Sequence, residues 1–130
     1  MPLVDLETAR GHLRVLHTDD DAQIEIYLAA AESAVLEYLD RPVVEVGTTL
    51  PLPEEEGYDA TAMVVTFPII AAILLVMSDL YENREPDPKL TGDAVLPKPV
   101  RMLLAPWRVW RTFEEDCTTY SGSYNWPTFP

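Results

Sequence analysis

His17-Thr18-Asp19-Asp20-Asp21 is the stretch whose residue types could do chemistry most directly. One imidazole beside three carboxylates could hold a divalent cation and activate a water on it. The same residues also suit a helix N-terminus, with Thr18 or an Asp as the cap and the remaining acids favoured by the helix dipole. The glycine and terminal glutamate of a calcium loop are missing, and no second ligand cluster follows at a recognisable spacing. The helix start is therefore the reading preferred for these residues. His12 and His17 lie five positions apart, so on one helix they point about 140° from each other, a poor arrangement for a ligand pair. Cys117 has no flanking base. Asp79, Glu82 and Glu85 read as the polar end of a helix. The chain contains no Gly-rich phosphate loop, no Cys-x-x-Cys pair, no His-Glu-x-x-His and no nucleophile elbow. We expect no catalytic residue, no metal and no cofactor.

The elements around these residues are organised on one central run, Phe67 to Met77, which carries no charged or polar side chain. Pro68 fits the first turn of a helix, where its missing N–H costs nothing. The apolar residues go round the whole helical wheel until Ser78, so this helix must be buried on every side, within its own chain or with help from neighbouring subunits. A membrane span needs roughly 20 such residues, and this run ends in Asp79, Glu82 and Arg84. Pro86 and Pro88 stop it.

Upstream, Asp5 is a candidate N-cap. Leu6, Ala9, Leu13 and Leu16 then form one stripe of a helix of about three turns. A second helix runs from about Asp20 to Leu39 on the stripe Ile24, Leu28, Ala31, Val35 and Leu39, and Pro42 ends it through its restriction of Arg41. Ala29, Ala30, Ala31 and Ala34 allow another helix to come close. Val43–Val46 and Ala62–Thr66 are strand-like and flank a loop rich in Pro, Glu and Thr, so residues 43–66 read as a loop or hairpin arm. Downstream of a linker at 86–97, a fourth helix starts near Pro97 or Pro99. On that helix Lys98, Arg101, Arg108 and Arg111 share one side and Leu103, Trp107 and Trp110 the other, with Pro106 set to kink or break it. The last residues, 114–130, form an extended tail in which Tyr120, Tyr124, Trp126 and Phe129 are typical interface anchors. The fold class is mainly α: a small bundle of about four helices, with a long partly β-like loop between the second and third. The domain is 1–113, followed by the tail.

Charge narrows the function classes. The chain has 130 residues and a net charge of −13. Residues 1–60 contribute −11, from 14 acids and 3 bases, and residues 61–130 contribute −2, from 8 acids and 6 bases. That disfavours binding nucleic acid by phosphate neutralisation, although an acidic wall can let DNA pass without gripping it. The opening, Met1–Asp5, has neither the basic nor the apolar region of a signal peptide. The lone Cys117 cannot form an intrachain disulfide, which fits a reducing cytoplasm. These residues alone describe a small acidic helical protein, expected to be oligomeric, with an aromatic tail. A small cytoplasmic regulatory module binding one protein partner is the alternative.

Four stretches carry a more specific signal. They are Leu6-Glu7-Thr8-Ala9-Arg10-Gly11-His12-Leu13-Arg14-Val15; Asp19-Asp20-Asp21-Ala22 leading through Ala29-Ala30-Ala31 to Tyr38-Leu39-Asp40-Arg41-Pro42; Ala71-Ala72-Ile73-Leu74-Leu75 leading to Leu80-Tyr81-Glu82-Asn83-Arg84-Glu85; and Leu103-Leu104-Ala105-Pro106-Trp107-Arg108. In that order, across residues 5–112, the chain resembles the head–tail connector (adaptor, or head-completion) proteins of tailed bacteriophages. The motif positions are Tyr81, Glu82, Asn83, Arg84 and Pro106. The segments 43–66 and 114–130 match no part of the pattern.

The resemblance implies a structural virion protein at the head–tail interface, assembled in the host cytoplasm. Its partners would be the portal protein, the next neck or tail protein (a stopper or tail terminator), and further copies of itself in a ring of about twelve. It would prolong the DNA channel without reading sequence. Under that reading, Trp107, Arg108, Trp110, Arg111, Tyr120, Tyr124, Trp126 and Phe129 are the candidate portal or inter-subunit contacts.

Overall fold

The computed structural model describes residues 2–85 and 96–110. Four helices, α1 (Leu6–Leu13), α2 (Asp21–Leu39), α3 (Phe67–Glu82) and α4 (Lys98–Leu104), are joined by one pair of two-residue strands and end in a 3-10 turn, Ala105–Trp107. This is the mainly α bundle expected from the sequence.

Asp5 starts α1 as anticipated: its backbone is extended, and its carboxylate accepts from the Thr8 N–H at 3.0 Å. The helix is shorter than the stripe implied. Arg14 turns left-handed at φ 58°, its N–H bonds the Gly11 carbonyl, and the Val15 N–H bonds that of Arg10. Those two bonds close the open carbonyls of the last turn. Leu16 therefore lies past the helix and is 95% exposed instead of completing the stripe.

In α2 the predicted stripe is the buried one: Ile24, Leu28, Ala31, Val35 and Leu39. Asp20 occupies the N-cap position and Asp21 the first turn, so the acidic cluster marks a helix start. Two polar contacts tie α2 to the N-terminal segment: the Val4 N–H donates to Glu32 Oε1 at 3.0 Å, and Arg10 lies 3.4 Å from Asp21.

Val43–Val44 (β1) and Met63–Val64 (β2) pair in parallel, with Val43 opposite Met63 and Val44 opposite Val64. The segment 43–66 is therefore not a hairpin. A parallel pair needs a connection that carries the chain back to the start of the sheet, typically a dozen residues or more. Residues 45–62 supply it, with left-handed turns at Gly47 (φ 88°) and Gly57 (φ 85°) where a side chain would be strained.

α3 packs against α1, α2 and α4 and is the hub of the core. Ile69, Ala72, Ile73, Val76 and Met77 are buried, and Val100, Leu104 and Leu96 close over them. Burial on every side is not achieved within one chain, however. Phe67 is 87% exposed and Leu75 41%. Two α-helices and a short third cannot surround a helix on all sides, so one apolar side of α3 faces solvent. No helix among the described residues is long and apolar enough to cross a membrane.

Candidate docking interface

The candidate residues fall at the two ends of α2, a helix roughly 28 Å long at 1.5 Å per residue. At its C-terminal end stand Trp107, Arg108 and Trp110. Pro106 breaks α4 as anticipated, and the chain leaves the 3-10 turn extended at Arg108. That break changes the disposition of the bases. Arg108 does not share a helix side with Lys98 and Arg101, nor does it oppose the tryptophans. Its guanidinium lies 4.5 Å from the ring centroid of Tyr38 and 4.5 Å from that of Trp110. The positive charge thus sits over two aromatic faces, each attracting it through the ring quadrupole. Trp107 is half-buried against the core, whereas Trp110 is 64% exposed. Lys98 and Arg101 remain exposed together on α4.

The segment is held by backbone as well. The Val109 N–H donates to the Leu39 carbonyl at 2.9 Å. Arg41 donates from Nη1 to the Trp107 carbonyl at 3.1 Å and from Nε to the Thr61 carbonyl. One side chain therefore joins the end of α2, the return of the 43–66 excursion and the exit from α4. Sequence reasoning assigned Arg41 no role beyond preceding Pro42. Nothing local signals its partners, which are carbonyls 20 and 66 residues away.

At the N-terminal end of α2 stands the other part of the motif. The Tyr81 hydroxyl donates to Asp20 Oδ2 at 2.8 Å, and its ring meets Tyr27 edge-on with centroids 6.5 Å apart. Arg84 lies 5.3 Å over the Tyr81 ring, and Asn83 Nδ2 donates to Asp79 at 2.8 Å. Glu82 is exposed. The His17–Asp21 cluster is shared among separate partners: Asp20 faces Tyr81, Asp21 faces Arg10, and His17 lies 4.0 Å from Asp19 on the surface. Among the described residues no three His, Cys, Asp or Glu side chains converge on one point. Arg111, Tyr120, Tyr124, Trp126 and Phe129 lie outside the described residues.

The hydrogen bond to the Asp20 carboxylate, then desolvation, then the charge of Asp20 raise the Tyr81 pKa above its ordinary value. A phenol whose folded pKa is raised adds stability that is fully present below the unfolded pKa, about 10, and is lost as pH rises through the folded value. Tyr81→Phe is therefore expected to lower the urea midpoint at neutral pH. It should also flatten the loss of stability that the native chain shows as pH rises above about 10. Parallel alkaline curves for the two proteins would refute the coupling.

The geometry defines a class before it defines a family. This is a small helical protein with aromatic–cation stacks at both ends of one helix and an open apolar side on another. A profile of phage gp6-like head-tail connector proteins matches residues 3–108, and the chain belongs to that family. The crystal structure of bacteriophage HK97 gp6 has the same fold, with a TM-score of 0.54 at 18% identity, over 82% of this chain and 94% of that one. No curated protein matches the chain.

Proposed function

We propose that this chain is a structural virion subunit and not an enzyme, and that copies of it close into a ring of about twelve beneath the portal. The ring prolongs the DNA channel and presents its far face to the next neck or tail protein, a stopper or tail terminator. The family match across residues 3–108 carries this reading. Two physical features support it. An apolar side of α3 stands open to solvent, as suits a helix completed by a neighbour. The net charge of −13 suits a wall that DNA passes without sticking.

In this reading Arg108 fixes Trp110 outward at the point where the chain leaves the domain. The portal contact then continues through Arg111 into the tail, 114–130, with Tyr120, Tyr124, Trp126 and Phe129 as its anchors. The subunit acts at the head–tail interface after assembly in the host cytoplasm.

The test is the mass of the purified chain by light scattering, alone and mixed with its portal. We expect the mixture to gain a mass of about twelve copies per portal. A monomer in both samples, with no portal association, would remove the proposal and leave a small regulatory module.

A further inference from the structure

The exposed residues of α2 and α3 lie back to back. α2 and α3 pack against each other, with Ile24, Leu28 and Val35 buried on one and Ile69, Ile73 and Val76 on the other. Residues two positions from these lie about 160° round each helix. On α3 those positions hold Phe67, Ala71, Leu74, Leu75 and Ser78; on α2 they hold Ala22, Ile26, Ala30, Ser33 and Glu37. Phe67 is 87% exposed and Ile26 65%. Two helix sides, each with an exposed large apolar residue beside a small one, therefore face opposite ways on one molecule. A surface that must pair with itself needs only one such side. A contact that passes from copy to copy needs two different sides, set apart.

Charge separates the two sides further. Glu37 lies on the open side of α2 and Glu25 at its border, and both are exposed. α4, packed beside α3, exposes Lys98, Arg101 and Met102. Among the described residues none of these four charges makes an ion pair within the chain. For a protein of net charge −13, approach of two copies is repulsive unless opposite charges meet at the contact. The small side chains of Ala29 and Ala30 let a second helix come close. The acidic loop at Glu54–Glu56 could also meet bases, but it is exposed throughout and offers no helical face.

From this placement we infer that the open side of α2 in one copy packs on the open side of α3 and α4 in the next. Glu25 and Glu37 face Lys98 and Arg101 across the contact. The inference rests on the ring proposed above and names the two faces that build it. The contact is head to tail, so it repeats around a closed assembly.

The test uses the full chain with Cys117→Ser as background, oxidised under the conditions in which the native chain associates, with portal present if association requires it. Ala30→Cys together with Ala71→Cys is expected to give a ladder of covalent oligomers, and each single cysteine only uncrosslinked chain. In the native background, Lys98→Glu with Arg101→Glu should weaken association about tenfold, and adding Glu25→Lys with Glu37→Lys should restore it. Covalent dimers from either single cysteine would overturn the inference in favour of a two-fold contact. So would rescue by charge reversal at Glu54–Glu56 instead, or crosslinking to the portal alone. Association without a ladder would overturn the two faces and leave the ring intact. No association of the native chain under any condition would remove the ring, and the contact with it.

Discussion

Ile73→Ala is expected to lower the free energy of unfolding by about 3–4 kcal/mol, read as a fall in the urea midpoint with an unchanged slope. Ile73 has no solvent exposure and sits in the middle of α3, the helix against which α1, α2 and α4 all pack. Truncation removes three methyl(ene) groups from that centre. The neighbouring α2 and α4 side chains are fixed by helix geometry and cannot close the space fully, so a cavity cost adds to the lost burial. A domain of this size is typically stable by only about 5–15 kcal/mol, so the variant loses a large share. Phe67→Ala on the same helix is the control. Its side chain is already in water, and the change should move stability by no more than roughly 0.5 kcal/mol. Equal losses at the two positions would mean that Phe67 is covered in the free chain and that the open side of α3 does not exist in solution.

The contrast between Ile73 and Phe67 also shows what could be read from the residues. The existence, order and inward stripe of α2 followed from the 3.6-residue spacing of Ile24, Leu28, Ala31, Val35 and Leu39, because burial enforces that spacing. For α3 the spacing says less. A helix apolar on all sides demands cover but does not say which side the chain itself provides, and a single chain cannot reveal what a second copy covers. The short α1 was misread at Leu16 because Arg14 takes a left-handed turn without a glycine to announce it. The 43–66 segment was legible as two strand-like runs and a loop. Their parallel pairing was not, since it is fixed by where α2 ends and α3 begins.

The candidate residues divide in the same way. Pro106 announced the end of α4, yet the stack of Arg108 between Tyr38 and Trp110 depends on the direction the chain takes after the break. Extending a helical wheel through Pro106 placed Arg108 opposite the tryptophans, and the turn undoes that arithmetic. The acidic cluster was read as a helix start with an Asp or Thr as its cap, and Asp20 takes the N-cap position, although its side chain makes no capping bond to the helix. Its carboxylate, however, accepts from Tyr81 across 61 residues, a pairing that only the antiparallel packing of α2 and α3 creates.

Arg41→Ala is expected to cost about 2–3 kcal/mol and to release the exit segment from the domain. Charged donors to carbonyls contribute roughly 1.5–3 kcal/mol each when buried and less when water can reach them, and Arg41 is half-buried. Its loss would leave two carbonyls, those of Thr61 and Trp107, without this partner. Arg41→Lys should recover only part of the loss. A single ammonium cannot span the separated positions that Nε and Nη1 serve together. The effect beyond stability is local. With the Trp107 carbonyl untied, the Arg108 stack on Tyr38 is no longer held at the end of α2, and Trp110 loses its fixed direction. Trp emission and amide exchange at Val109 should report this under conditions where α2 and α3 stay protected. If Val109 exchange is unchanged while global stability falls, Arg41 supports only the 61 side of the junction. If the segment loosens as expected, then on the function proposed above the variant should also bind portal more weakly than its stability loss explains, because the proposed contact residues would have to be ordered at the moment of binding.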